Sequence, residues 1–308
     1  MTIDLESKFL GSLIGSAIGD AIGELCFHFP EKEELLSNLE RASLLRYTDD
    51  TAMAIGLAEA IIEKGDIDQR RLGDMFSQNF KREPWRGYAS GPPTIFNMVQ
   101  GLGIPYTEAA RRLFGGTGSL GNGAAMRIAP VGLFFHNSSE LYEKASASAE
   151  VTHAHPVGMD GAAIQALAVA TATGLDPEKE FRADAFIREL IDSARTNEIR
   201  EKIELVEDLI DGDVFPDMAA DRIGRTVTVH ESMPFAVYSF LRHPESMEDC
   251  LYCAIFHGGD RDTLGAMACA VSGAYLGIKG IPLSWREKLE NGPGIEKLAL
   301  ALAAKCSP

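Results

Sequence analysis

Apolar residues recur three or four positions apart along most of the chain, a spacing that places them on one face of an α-helix. Glycine, proline or clusters of charge separate these segments. The pattern predicts helices over residues 51–64, 67–81, 107–114, 140–150, 158–173, 183–194, 198–210 and 263–277. Alternating strand patterns are scarce, and the best short candidate is RTVTVH at residues 225–230. The hydrophobic pattern therefore predicts an all-α fold.

The most apolar segment covers residues 9–29, FLGSLIGSAIGDAIGELCFHF, and is long enough to imitate a membrane span. Asp20 and Glu24 argue against a span, and the acidic leader MTIDLE lacks the basic start of a signal peptide. Glycine recurs every fourth residue, at positions 11, 15, 19 and 23. Such a stripe on one helix face lets another helix approach closely, so we expect a buried helix here.

The composition is typical of a globular domain with a sizeable core, because 45% of the 308 residues are hydrophobic and 24% are charged. No low-complexity linker divides the chain, so we expect one helical domain over residues 1–308. Residues 174–221 are more charged, and we expect them to form an outer layer. The net charge of −16 disfavours binding to phosphate backbones and argues against a nucleic-acid partner.

The five cysteines are scattered, which argues against a disulfide scaffold and for a reducing compartment. Cys250 and Cys253 form a lone CxxC pair without partner histidines, so small core residues are a better interpretation than a zinc or redox site. No targeting segment or coiled coil is visible in the sequence. We therefore expect a cytoplasmic monomer with no membrane partner.

Two clusters of acids and threonines each stand at the start of a helix that is predicted to be buried. TDDT at residues 48–51 precedes one helix, and GGDRDT at residues 258–263 opens the other. Helix capping by Thr or Asp is the simple explanation, and acids in the first turn also suit the helix dipole. Capping needs one such residue rather than three, however. Two oxygen-rich clusters without a basic run nearby favour a site for hard divalent cations such as Mg²⁺ or Mn²⁺.

Five glycines fall within residues 115–123, GGTGSLGNG. The run is not a Walker A loop, because Asn122 stands where the lysine would be. Its G-x-G-x-x-G match is weak evidence for a dinucleotide fold, because a helical segment rather than a strand precedes it. Glycines let backbone amides approach a ligand closely, and a nest of amides suits phosphate or pyrophosphate. A flexible turn between helices is the alternative.

Three histidines lie near these motifs. His153 and His155 are two residues apart and would face opposite sides of a helix, so joint metal ligation is disfavoured. A core or surface role for each is the default interpretation. His257 precedes the second acidic cluster and is either a supporting partner of that cluster or a loop residue.

Five motifs occur in the order seen in the ADP-ribosylglycohydrolase family, which this sequence resembles from residue 9 to residue 285. They are GSLIGSAIGDAIG, YTDDTAMA, GSLGNGAAMRIAPVG, THAHPVGMDGA and GGDRDTLGAMACAVSGAYLG. RGYASGPPTIF at residues 86–96 and the later SGAYLGIKGIPLSW resemble the subgroup that acts on serine-linked ADP-ribose, poly(ADP-ribose) and O-acetyl-ADP-ribose. The resemblance implies an all-α orthogonal bundle with a central dimetal cleft, and hydrolysis at the anomeric carbon of the distal ribose.

The resemblance also implies the residues of the site. Two Mg²⁺ ions, or Mn²⁺ ions, would be bound by Thr48, Asp49, Asp50, Asp260, Asp262 and Thr263. The ions would hold the hydroxyls of the distal ribose and polarise water, so Asp49 and Asp50 count as catalytic candidates. The substrate contacts would be Phe114 on adenine, His153 on the diphosphate, and Gly118, Ser119, Leu120, Gly121 and Asn122 around the pyrophosphate. The expected partner is ADP-ribose or an ADP-ribosylated protein.

Two positions depart from the family pattern. Phe27 replaces the glutamate that typically follows the GDAxG motif and acts as acid and base. Glu24 lies three residues earlier on the same helical face and is our candidate for that role. There are two alternatives to this role for Glu24. Glu24 has a capping role, or a shifted loop brings Glu31 to the site. Leu120 stands where an aromatic residue is usual, so adenine would lose one stacking face.

The expected function is metal-dependent hydrolysis of the glycosidic bond in ADP-ribose conjugates. The substitution at Phe27 supports an alternative, a binding module that holds ADP-ribose without cleaving it. A dimetal hydrolase for a different nucleotide or glycoside is a third hypothesis, and it predicts no affinity for ADP-ribose.

Overall fold

Helices make up the regular structure of residues 4–306, the part of the chain that this computed structural model describes. The first nine α-helices are α1 Leu5–His28, α2 Lys32–Arg41, α3 Asp49–Lys64, α4 Gln69–Arg82, α5 Gly91–Leu102, α6 Tyr106–Arg111, α7 Ala129–Phe134, α8 Leu141–Glu150 and α9 Pro156–Gly174. They are followed by α10 Ala183–Ser193, α11 Asn197–Asp211, α12 Pro216–Ile223, α13 Val229–Arg242, α14 Met247–Ile255, α15 Arg261–Leu276, α16 Leu283–Lys288 and α17 Gly292–Cys306. Short 3₁₀ helices lie at Phe114–Gly116, Asn122–Ala124 and Ile278–Gly280. The predicted all-α fold is confirmed, whereas the first half of the acidic leader lies outside the described residues.

The predicted helices are all present, and their ends differ from the prediction by less than one helical turn. The strand interpretation of residues 225–230 is wrong. Thr228 makes one isolated antiparallel bridge with Gly121, and helix α13 begins at the next residue. A strand needs a ladder of neighbouring pairs, and the alternating pattern here belongs instead to a loop and to the first turn of α13.

Helices α1 and α15 pack against each other along the predicted glycine stripe. The glycines at positions 11, 15, 19 and 23 meet the backbone of residues 273, 269, 265 and 261, so the two helices are antiparallel. A Cβ atom added to Gly19 would lie 2.1 Å from the carbonyl oxygen of Gly265. Two helix backbones in direct contact leave no room for a side chain. The expected close approach is confirmed, and it places the start of α15 beside the second half of α1.

Helix α1 is the one described helix with the length and apolar composition of a membrane span, and the mean hydropathy of its most apolar window is 1.3. In the fold, 83% of that window is buried. The core helix of a globular protein meets the same criteria as a span, so length and composition alone carry little weight. The burial matches the sequence interpretation of a core helix.

The segment at residues 174–221 forms amphipathic helices, as the charge pattern predicts. Helix α11 buries Ile199, Ile203, Val206 and Leu209 on one face and leaves charged side chains on the other. It packs on α10 and α13 at the outside of the bundle. Cys250 and Cys253 are buried free thiols, which agrees with their interpretation as core residues.

Candidate active site

A cleft of about 610 Å³ unites the predicted motifs. Of the predicted metal ligands, those that line it are Asp49, Asp50, Asp260, Asp262 and Thr263. All the predicted substrate contacts line it as well: Phe114, Gly118, Ser119, Leu120, Gly121, Asn122 and His153. Thr48 is buried at the start of α3 but is not part of the lining. The fold therefore brings residues that are far apart in the chain into one cavity.

Asp20 is fully buried in α1 and holds the start of α3 in place. Its carboxylate accepts hydrogen bonds from the backbone N–H groups of Thr48 and Thr51, at 3.0 and 3.1 Å, and from their hydroxyls, at 2.8 and 2.6 Å. This role of Asp20 was not predicted from the sequence, where the residue served as evidence against a membrane span. The available signal was an acid inside a small-residue helix, since a buried carboxylate requires hydrogen-bonding partners.

Helix capping accounts for Thr48 but not for the aspartates. Thr48 is the N-cap of α3, and its Oγ1 accepts a hydrogen bond from the N–H of Asp50 at 3.4 Å. Asp260 is the N-cap of α15, yet its side chain makes no capping bond and instead accepts one from Asn122 Nδ2 at 2.7 Å. Asp50 Oδ2 is buried and has no hydrogen-bond partner among residues 4–306. Carboxylate oxygens thus remain after capping, as a cation site requires.

Burial and mutual repulsion make this aspartate cluster costly to ionise. Burial raises the pKa of Asp49, and the charge of Asp20 raises it further. Burial and the neighbouring Asp262 raise the pKa of Asp50 well above its usual range. The pKa of Asp262 is raised by burial and then by Asp260. A divalent cation would relieve this repulsion and restore the ionised carboxylates.

The donor chemistry fits a hard cation that keeps some water ligands. In residues 4–306, no three His, Cys, Asp or Glu side chains are grouped closely enough to enclose a metal ion by themselves. The ligand set would therefore combine carboxylates with the hydroxyls of Thr48 and Thr263 and with water. Oxygen-only sets of this kind suit Mg²⁺ and Mn²⁺ better than softer metals.

The glycine loop is anchored to the segment that follows α12. Asn122 donates its N–H to the carbonyl of Val227 at 2.9 Å. Gly118 has a φ of 76°, and a Cβ atom there would lie 2.6 Å from the backbone nitrogen of His155. Glycine is required at this position both for the left-handed backbone and for the close approach. These contacts favour a loop of fixed conformation over a flexible turn.

The two neighbouring histidines have different positions. His153 lines the cleft, and burial lowers its pKa to about 3, so its ring is neutral. His155 is the N-cap of α9, where its Nδ1 accepts a hydrogen bond from the N–H of Val157 at 3.2 Å. His257 is absent from the lining, and its ring packs edge-on against Phe235. His153 and His155 therefore do not share a ligand in this structure. His257 lies in a loop outside the cleft.

Phe114 and Leu120 contribute apolar surface to the cleft. Phe114 is 65% exposed and has a left-handed φ of 52°, which is uncommon for a residue with a side chain. Leu120 is half-buried. A planar base could therefore stack on the exposed ring of Phe114 and meet an aliphatic side chain, rather than a second ring, at Leu120.

Glu24 and Phe27 lie one turn apart near the end of α1, which stays helical beyond both. Phe27 is 45% exposed, and neither residue lines the cleft. Burial is the main cause of the raised pKa of Asp262, the charges of Asp260 and Asp20 raise it further, and that of Glu24 adds least. Gly23, the neighbour of Glu24, packs directly on the Asp262 backbone. Glu31 is exposed where α2 begins. Of the two candidate acids, Glu24 is the one that α1 brings to the aspartate cluster.

Comparison with known proteins gives the same family as the motifs. Residues 1–308 match the family model described as ADP-ribosylglycohydrolase. The chain is 33% identical over 288 residues to ADP-ribosylhydrolase ARH3 of Mus musculus, covering 85% of this chain and 78% of the relative. The Homo sapiens protein of that name is 33% identical over 293 residues, covering 85% and 80%. A solved chain titled ADP-ribosylglycohydrolase-related protein complex superposes with a TM-score of 0.73 at 21% sequence identity. The match covers 98% of this chain and 99% of the solved chain, and it supports the fold.

Proposed function

Because the chain belongs to the ADP-ribosylglycohydrolase family and is therefore a hydrolase of ADP-ribose conjugates, we propose that it releases ADP-ribose from serine side chains with the help of two divalent cations. The observation that carries the proposal is the convergence of four aspartates and the glycine loop in one cleft. The serine linkage rests on the resemblance of residues 86–96, and of the motif after α15, to the serine-directed subgroup.

The proposed cation ligands are Thr48, Asp49, Asp50, Asp260, Asp262 and Thr263. When bound, Mg²⁺ or Mn²⁺ ions at such a site polarise water and orient the two hydroxyls of a ribose. Hydrogen bonds within the protein would preorganise these ligand oxygens. Asp20 holds the loop at the start of α3 through four hydrogen-bond donors, and Asn122 orients the carboxylate of Asp260.

The diphosphate would be bound mainly by backbone amides. Among the described residues that line the cleft there is no lysine or arginine. The amides of Gly118, Gly121 and Asn122 already donate to Leu113, Ser119 and Val227. In the described structure, the amides of Ser119 and Leu120 and the ring of His153 are therefore the donors left for phosphate oxygens, together with the cations. Phe114 would stack on the adenine at the exposed side of the cleft.

Cleavage at the anomeric carbon leaves a serine oxygen that needs a proton. The side chain of Phe27 cannot supply one, whereas Glu24 carries a carboxyl group and follows Gly23, which packs on the Asp262 backbone. We assign the acid role to Glu24. The same group, once ionised, would take a proton from the attacking water in the second half of the reaction.

The test is release of ADP-ribose from a serine-ADP-ribosylated peptide, with Mg²⁺ and with EDTA, alongside calorimetry of ADP-ribose in both buffers. We expect release and tight binding only with Mg²⁺, and loss of both in Asp50→Asn. Binding without release would contradict the hydrolysis of this linkage and leave a binding module or another linkage. Absence of binding in both buffers would contradict the ADP-ribose assignment.

A further inference from the structure

We propose that Arg127 and Thr152 are positioning residues for His153. Together they hold its imidazole in the tautomer that carries the proton on Nε2, so that Nε2–H can donate to an anionic phosphate oxygen. The inference rests on the proposed function, because the anion would be the diphosphate of ADP-ribose. Neither Arg127 nor Thr152 has a role in the mechanism described above.

Arg127 lies beneath the glycine loop with 0% of its surface exposed. Its Nη1 donates to the carbonyl of Gly123 at 2.9 Å, and its Nη2 donates to Thr152 Oγ1 at 2.8 Å. Its guanidinium stacks on Phe76 at 4.5 Å from the ring centroid. A guanidinium has donors and no acceptor. The Thr152 oxygen must therefore accept in this contact, which leaves its single proton for another partner.

That partner is the ring of His153. Thr152 is buried, and its Oγ1 lies 2.7 Å from His153 Nδ1. In the described structure this hydroxyl makes no hydrogen bond to any other acceptor. If Nδ1 carried a proton, the hydroxyl would face two donors and its own proton would be buried without an acceptor, which proteins avoid. The hydroxyl therefore donates to Nδ1, and the proton of the neutral ring resides on Nε2.

The Nε2 edge of the ring faces the glycine loop. A Cβ atom added to Gly123 would lie 2.9 Å from Nε2, and one added to Gly121 would lie 3.6 Å from it. No described residue forms a hydrogen bond with Nε2. Burial, and then the charge of Arg127, lower the pKa of His153 to about 3, so the ring stays neutral when a ligand arrives.

For a neutral ring, the tautomer decides whether His153 attracts or repels a phosphate. A protonated Nε2 presents a donor, whereas the other tautomer presents a lone pair to an oxygen that also carries lone pairs. Arg127 thus acts on the ligand indirectly. It orients the Thr152 hydroxyl, which in turn selects the useful tautomer of His153.

The experiment compares Thr152→Val, which removes the hydroxyl at nearly constant volume, with Thr152→Ser, which retains it. NMR of ¹⁵N-histidine-labelled protein reports which ring nitrogens are protonated, and a His153→Gln variant assigns the signals. Calorimetry with ADP-ribose and Mg²⁺ measures affinity. Thr173→Val is the matched control, because Thr173 is equally buried but donates only to the carbonyl of Val169 at 2.8 Å.

In the ligand-free parent protein, we expect His153 to be protonated at Nε2 alone. Thr152→Val should give a mixture of tautomers and weaken ADP-ribose binding about tenfold. Thr152→Ser and Thr173→Val should keep the parent tautomer and affinity. Arg127→Met should change the tautomer and the ADP-ribose affinity in the same direction as Thr152→Val. If the Arg127→Met protein does not fold, the threonine variants alone provide the test.

A proton on Nδ1 in the parent protein would overturn the proposal, as would a Thr152→Val protein with unchanged tautomer and affinity. These outcomes differ from a failure of the proposed function. If ADP-ribose did not bind the parent protein, the ADP-ribose assignment would fall, while the ligand-free NMR spectrum would still decide whether Thr152 sets the tautomer.

Discussion

Asp20 and Glu24 lie one helical turn apart on α1, and their different surroundings divide their roles. The carboxylate of Asp20 accepts hydrogen bonds from four donors in residues 48 and 51, so it is committed to holding the start of α3. Glu24 is half-buried, and no hydrogen bond to its carboxylate is found in the described structure. A saturated carboxylate positions its neighbours, whereas a free one can exchange a proton with substrate or water.

Replacing Glu24 by Gln should lower turnover of the serine-linked peptide by about 100-fold or more, because a general acid typically contributes at least that much. Binding of ADP-ribose should change little. The measurement is the rate of ADP-ribose release under saturating Mg²⁺. Glu31→Gln is the control, since Glu31 is exposed at the start of α2. Unchanged turnover in Glu24→Gln, or a loss confined to Glu31→Gln, would dismiss Glu24.

Asp20→Asn should reduce both stability and activity, and Asp160→Asn should reduce stability alone. Asp160 is equally buried and accepts hydrogen bonds from the N–H groups of Arg195 and Thr196, at 3.1 and 2.6 Å, but it does not line the cleft. An amide leaves some of these donors unpaired, at a cost of about 1–3 kcal/mol. Urea denaturation gives the free energy of unfolding. Full Mg²⁺-dependent turnover in Asp20→Asn would contradict its role in placing the cation ligands.

At the scale of elements, the packing of α1 on α15 assembles the acidic cluster. The glycine stripe allows the two backbones to touch, and this contact places Gly23 against the Asp262 backbone. Asp20 and the second acidic cluster therefore meet at one end of the helix pair. The glycines carry no reactive group, yet their spacing determines where the acidic side chains of α1 and α15 lie.

Gly19→Ala should destabilise the protein by about 3 kcal/mol, because the added methyl group would overlap the Gly265 carbonyl and force the helices apart. It should also weaken Mg²⁺ binding, since the acidic groups on the two helices would separate. Gly101→Ala in α5 is the matched control. Nothing lies within 4 Å of its Cβ position, so alanine should add about 0.5–1 kcal/mol of stability. Denaturation and Mg²⁺ titration measure both effects, and equal results for the two variants would refute the packing argument.

At the scale of the whole molecule, the net charge is −16, and the described lining of the cleft contains four aspartates and no lysine or arginine. Burial and neighbouring acids raise the pKa of Asp49 to about 7 and that of Asp262 to about 8. Between the pKa of an unfolded aspartate, about 4, and these values, the folded state binds more protons than the unfolded state. Ionisation of the cluster therefore costs folding free energy that a bound cation can restore.

Stability in EDTA should fall as the pH rises from about 5.5 to 8, because acids with raised folded pKa values lose their contribution as they ionise. Mg²⁺ should flatten this dependence and stabilise the protein most at the alkaline end. Urea midpoints across the pH series, with EDTA and with Mg²⁺, provide the test. Asp50→Asn should be more stable than the parent in EDTA and should respond less to Mg²⁺. A stability that rises with pH in EDTA would contradict the predicted direction of this pH dependence.

Local spacing in the sequence determined the helices, the core position of α1 and the residues of the two acidic clusters, because these depend on neighbours within a few turns. The failure at residues 225–230 has the same origin. An alternating pattern expresses a local preference, whereas a strand exists only if another segment supplies a ladder, and here a single bridge forms.

Tertiary structure alone decided the roles of the buried polar residues. Asp20 bonds to residues 28 and 31 positions away, and Arg127 reaches Thr152 across 25 positions, so no periodicity records either pairing. Each of these side chains is individually costly to bury and is retained only because the fold brings its partners to it. The sequence by itself thus determined the chemical groups of this protein and the helices that carry them. The packing of helices that are distant in the sequence decided which side chains face the cleft. It also decided which buried side chains hold the cleft residues in place.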